Sequence, residues 1–92
     1  MATLHLTLKK KWFELIKSGR KTEEYREIKP YWDRRLMAGK SFDTITFKNG
    51  YAKNAPTFTI ELKEIISGLG VVQWGAPENE TVYILKLGSI IK

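Results

Sequence analysis

Residues 81–87 (TVYILKL) constrain the fold more than any other segment. As a strand, they put Val82 and Ile84 on one face and Tyr83, Leu85 and Leu87 on the other. A strand apolar on both faces must lie centrally or be covered on both sides. The other segments have to supply that cover. Residues 3–8 alternate Leu4, Leu6 and Leu8 with polar Thr3, His5 and Thr7, as a strand with one buried face does. From Lys9 to Ser18 the spacing turns helical: Trp12, Phe13, Leu15 and Ile16 form an apolar stripe read as core. Gly19 suits the left-handed residue that ends such a helix. Residues 21–26 read as a second strand. Pro30 suits the first position of a short helix over residues 31–38, with Trp32 and Leu36 as its core edge and Gly39 as its end. Residues 43–48 form a further strand, and Asn49-Gly50 predicts a tight type I′ turn after it. Phe58, Ile60 and Leu62 alternate in the next strand, which runs toward Ile66. Gly68, Gly70, Gly75 and Pro77 then mark a loop that carries Trp74.

The resulting order is strand, helix, strand, short helix and three strands. It suits an α+β domain: a small mixed β-barrel of about five strands with two helices packed on one side. A two-layer α+β sandwich is the alternative. The chain has 92 residues and reads as one domain, 1–92. No apolar run reaches the roughly 20 residues of a membrane span. The first residues lack the basic-then-apolar pattern of a signal peptide. The sequence contains no cysteine, which excludes disulfides and thiolate zinc sites and fits a cytoplasmic setting. One histidine and no compact carboxylate cluster disfavour a transition-metal site, so neither metal nor cofactor is expected.

Charge is distributed unevenly. Residues 1–40 hold 11 Lys/Arg against 5 Asp/Glu, so the whole net charge of +6 lies in that part. Such asymmetry points to an anionic partner, nucleic acid foremost, or more plainly to a solvated basic face. Lys9, Lys10, Arg20 and Arg35 are the candidate contacts for a nucleic-acid backbone.

The densest polar cluster is Gly19-Arg20-Lys21-Thr22-Glu23-Glu24-Tyr25-Arg26-Glu27. One reading is an exposed strand with alternating charges, whose pairs contribute little. On a straight strand Glu24 and Arg26 share a face and Lys21 lies on the other. A bend near Thr22-Glu23 would bring all three into one cleft. A half-buried lysine near Arg26 has a lowered pKa, which suits a base or nucleophile, while Glu24 opposes that shift. The same trio also suits a binding site: Lys21 on phosphate, Glu24 accepting from a base, and Arg26 orienting Glu24. Tyr31 beside Arg35 is a candidate stacking and phosphate pair, and Trp74 a candidate stacking surface in its glycine-rich loop.

Gly19, Lys21, Glu24 and Arg26 match the pattern G-x-K-x-x-E-x-R, and on this motif and its context the chain resembles the ASCH domain family. The resemblance implies a PUA-like β-barrel with a cleft beside the motif, and RNA or a nucleotide as ligand. Some members resemble amidohydrolases that deacetylate N4-acetylcytidine, and others have been described as ribonucleases. In the amidohydrolase branch the position of Lys21 is catalytic, a threonine stands where this chain has Glu24, and a later glutamate takes part. Glu61, Glu64, Glu78 and Glu80 are this chain's candidates by type. The expectation is therefore an RNA- or nucleotide-binding domain whose cleft is lined by Gly19, Lys21, Glu24, Arg26, Tyr31 and Trp74. A metal-independent hydrolase with Lys21 and Glu24 catalytic is the alternative, and a protein-interaction module a further one.

Overall fold

A computed structural model describes residues 2–37 and 41–92. Strand β1 (Thr3–Leu8) buries Leu4, Leu6 and Leu8, as its alternation requires. Helix α1 (Lys10–Lys17) follows at once, with Phe13 and Ile16 buried and Trp12 and Leu15 half-buried beside them. The helix ends in a Schellman turn. Gly19 takes φ +84°, its N–H donates to the Ile16 carbonyl, and the Arg20 N–H reaches back to the Leu15 carbonyl, both at 3.0 Å. A Cβ at Gly19 would meet nothing within 4 Å, so it is the backbone angle that calls for glycine. The Lys21 N–H shares the Leu15 carbonyl at 3.0 Å, which holds this residue against the helix end. Strand β2 (Glu23–Arg26) starts two residues later.

Helix α2 (Pro30–Trp32) begins at Pro30 and widens into a π turn over Asp33–Met37, where Leu36 is buried. Its expected end at residues 38–39 lies outside the described residues. Strands β3 (Thr44–Asn49), β4 (Thr57–Leu69) and β5 (Thr81–Ile90) follow, with a 3-10 turn (Val72–Trp74) between the last two.

The five strands form one mixed sheet in the order β1-β3-β4-β5-β2. β1 and β3 are parallel, and the other pairs are antiparallel. The sheet curls into a half-barrel, and its two open edges are β1 and β2. Register shifts around Leu62 let β4 serve two partners, its first half pairing with β3 and its second with β5.

β5 sits between β4 and β2 and is covered on both sides. Tyr83, Leu85 and Leu87 join the main core with Leu6, Ile45 and Phe47. Val82 and Ile84 pack on the other face with Tyr25, Ala76 and Trp74. Phe13 meets Phe58 edge-on, with ring centroids 4.9 Å apart, and so fastens α1 to the sheet. Such a pair contributes about 0.5–1.5 kcal/mol beyond its buried area.

Three details differ from expectation. Asn49-Gly50 is not a two-residue type I′ turn, because Gly50 has a positive φ and Asn49 does not. The Gly50 N–H donates to the Leu8 carbonyl at 3.0 Å, which holds the chain to β1, and β4 starts only at Thr57. Gly68 belongs to β4 rather than to the loop, because it pairs with Val82 on the long β5. Trp12 and Trp32 are only partly buried at the core margin.

Candidate functional site

The Schellman turn delivers Lys21 just ahead of β2, and its side chain joins the inner face of that strand. The Lys21 ammonium donates to Glu24 Oε1 at 2.8 Å. Arg26 Nη1 donates to Glu24 Oε2 and, at 2.7 Å, to the Tyr25 carbonyl. One carboxylate is thus held between two cations. Lys21 is only 2% exposed and Glu24 5%. The Lys21 ammonium also lies 4.2 Å from the Trp12 ring centroid and 5.6 Å from that of Tyr25. Burial pulls the Lys21 pKa below the usual lysine value. The Glu24 charge and hydrogen bond oppose this, and the Arg26 charge adds to it.

The gap between the open edges of β1 and β2 forms a cleft of about 880 Å³. Its lining includes Leu6, Leu8, Glu24 and Arg26. All three tryptophans of the chain (Trp12, Trp32 and Trp74) line it, together with Tyr31 and Tyr51. Lys9, Arg26, Lys29 and Arg35 set four cations against the single carboxylate of Glu24. Flat rings, excess positive charge and one buried acceptor suit a planar, anionic ligand with a polar edge.

The aromatic walls are not equivalent. Trp12 carries Lys21 at 4.2 Å and Lys11 at 4.7 Å from its ring centroid. Trp32 carries the Arg26 and Arg35 guanidiniums at 5.1 and 5.5 Å. Trp74 is half-buried and, among the described residues, has no cation over its ring. It stands on a turn closed by Gly75 at φ +101°, and a Cβ on Gly75 would fall 2.9 Å from Trp12 Cζ2. Glycine therefore lets the Trp74 loop seat on Trp12.

Of the residues singled out from the sequence, Glu24, Arg26, Tyr31, Trp74, Lys9 and Arg35 line the cleft. Gly19 does not, and acts through the turn it makes. Lys21 touches Glu24 but lies outside the lining. Lys10 and Arg20 are exposed and away from the cleft. Glu61, Glu64, Glu78 and Glu80 are also outside it. Sequence reasoning missed Trp12, Trp32, Lys29 and Tyr51. The two tryptophans sat on apolar stripes that read as core, and neither lysine nor tyrosine carried a local signal. Among the described residues, no group of three His, Cys, Asp or Glu could hold a metal ion. No described helix is long and apolar enough to cross a membrane.

The family model for the ASCH domain matches residues 6–90. No curated protein matches the chain.

Proposed function

This chain belongs to the ASCH domain family, and from that premise we propose that its cleft binds RNA or a free nucleotide. The observation that carries this reading is the gathering of all three tryptophans and four cations around one carboxylate. Bases stack on aromatic faces regardless of sequence, and cations hold the phosphates. Trp74 offers the least encumbered ring, while Lys9, Lys29 and Arg35 line the same cleft and can hold phosphate. Glu24 supplies the acceptor that a base amino or imino group needs. Lys21, behind the lining, then holds Glu24 in place.

The test is an NMR titration with single-stranded RNA, nucleotides and duplex DNA at two salt concentrations. Shifts should gather at Glu24, Arg26 and Trp74, and RNA affinity should fall steeply with salt. Trp74→Ala should weaken binding by about tenfold, the worth of one stacked base. A titration that moves none of these amides removes the proposal.

A hydrolytic reading draws support from the lowered pKa of Lys21, which suits a base or nucleophile. The substrate would be a modified nucleoside such as N4-acetylcytidine, or RNA, with Glu24 carrying or directing a proton. The ammonium lies against Trp12 and outside the cleft lining, so turnover requires Trp12 or Glu24 to move. Turnover that Lys21→Ala abolishes in a folded protein supports this reading; unchanged turnover removes it.

A further inference from the structure

The open edge of β1 has an unusual set of hydrogen-bonding groups. On a strand paired on one side, alternate residues turn their backbone N–H and C=O to the free side. Toward β3, the Ala2 carbonyl accepts from Asp43 and the Leu8 carbonyl from Gly50. Thr3, His5 and Thr7 therefore face the open side; Thr7 lines the cleft, and the edge runs on from it through His5 to Thr3. Two of those carbonyls are already taken by side chains. Arg35 Nη2 donates to the His5 carbonyl at 3.1 Å, and Arg26 Nη2 to the Thr7 carbonyl at 3.4 Å. Both guanidiniums also lie over Trp32, 5.5 and 5.1 Å from its ring centroid.

An edge that would alternate donors and acceptors thus becomes one that offers donors. Among the described residues, the N–H groups of His5 and Thr7 remain, beside the spare N–H groups of two guanidiniums. A peptide strand needs acceptors as well as donors and is poorly served here. An anion that only accepts is well served.

We infer that the open edge of β1 is a phosphate track for single-stranded RNA, with consecutive phosphates held by the His5 N–H with Arg35 and the Thr7 N–H with Arg26. Two residues of strand span about 6.6 Å, comparable with one nucleotide step of an extended strand. The inference rests on reading the cleft as an RNA site, and it adds where the RNA backbone runs. It places that backbone on main-chain amides along β1, not on the exposed Lys10 and Arg20.

His5→Pro tests the amide directly. Proline removes an N–H that faces the open side and leaves the β1–β3 ladder intact, which edge strands tolerate. The probes are an RNA trinucleotide, which has two phosphodiesters, and adenosine, which has none. Trinucleotide affinity should fall by about tenfold, the worth of one charge-assisted hydrogen bond, while adenosine binding is unchanged. In Arg35→Gln the slope of log K against log salt should become shallower by about 0.7, one single-strand phosphate contact. Should His5→Pro fail to fold by circular dichroism, the parent decides: its His5 and Thr7 amide shifts should move with the trinucleotide and not with adenosine, and amides that the trinucleotide leaves in place overturn the track. Folded variants that bind the trinucleotide as the parent does, with the parent's salt slope, overturn the track and leave the cleft reading standing. A parent protein that binds no RNA and no nucleotide overturns both.

Discussion

Glu23 and Glu24 are neighbours on β2 and face opposite sides of the sheet. Glu24 points inward, 5% exposed, between Lys21 and Arg26. Glu23 points to the opposite face, its side chain 14% exposed, where it accepts from Lys86 Nζ at 2.6 Å and from the Tyr25 hydroxyl at 2.7 Å. The same carboxylate, one residue apart, does different work. Inside, charges removed from water depend on one another, and losing one strands the rest. On the other face the pair is half-open: Glu23 is 14% exposed but Lys86 is 38% exposed, so water screens the pair and offsets part of a lost partner. The inner trio therefore shapes the cleft, and the Glu23–Lys86 pair ties β2 to β5 at the margin of the smaller core.

Lys21→Met is the strongest way to break this contrast. The variant keeps most of the volume but leaves Glu24 with one cation. Breaking a buried pair costs about 3–5 kcal/mol, so the melting temperature should drop by more than about 10 °C. A variant melting within a degree or two of the parent would make the trio structurally dispensable.

pH sharpens the contrast from both ends. The Lys21 pKa lies below its ordinary value of 10.5, chiefly through burial. The folded chain thus releases this proton before the unfolded chain does. Between the folded pKa and 10.5 the unfolded state binds more protons, so this group makes stability rise with pH. Glu23 behaves in the opposite limb. Burial works to raise its pKa, but the hydrogen bonds from Lys86 and Tyr25 and the Lys86 charge outweigh that, leaving it below 4.5. Its contribution is present above pH 4.5 and is lost as pH falls through the folded value. Thermal melts across pH should show Lys21→Met flattening the alkaline contribution and Glu23→Gln the acid one. The reverse assignment breaks the comparison.

Lys86→Ala should have the smallest effect. The Lys86 side chain is 38% exposed against 14% for Glu23, so solvent screens the pair from the lysine side. The variant's melting temperature should lie close to the parent's. A loss approaching that of Lys21→Met would show that the two faces of β2 are energetically alike.

Much of this architecture was legible locally. Gly19 marked the end of α1 because a left-handed residue is needed there. The doubly apolar 81–87 segment announced a strand covered on both faces, and β5 is that strand. Glu24 and Arg26 read as partners because strand period puts them on one face. The reading of Asn49-Gly50 failed because a carbonyl of β1, 42 residues earlier, takes the Gly50 N–H. Trp12 and Trp32 read as core because their spacing is that of buried stripes. Periodicity distinguishes a helix's apolar face from its polar one, but not whether that face meets packed neighbours or an open gap.

The sequence by itself determined the elements and their local ends: short-range hydrogen bonds, backbone angles and the alternation of polar and apolar side chains act within a few residues. It also determined that Lys21, Glu24 and Arg26 lie close along the chain. Only the tertiary structure decided that β1 and β2 end the sheet, so that the gap between them becomes a cleft lined by three tryptophans. Strand order comes from pairings between residues far apart in sequence, whose energies no local window contains. That order also placed Lys21 behind Trp12 and set Arg26 and Arg35 on the carbonyls of β1.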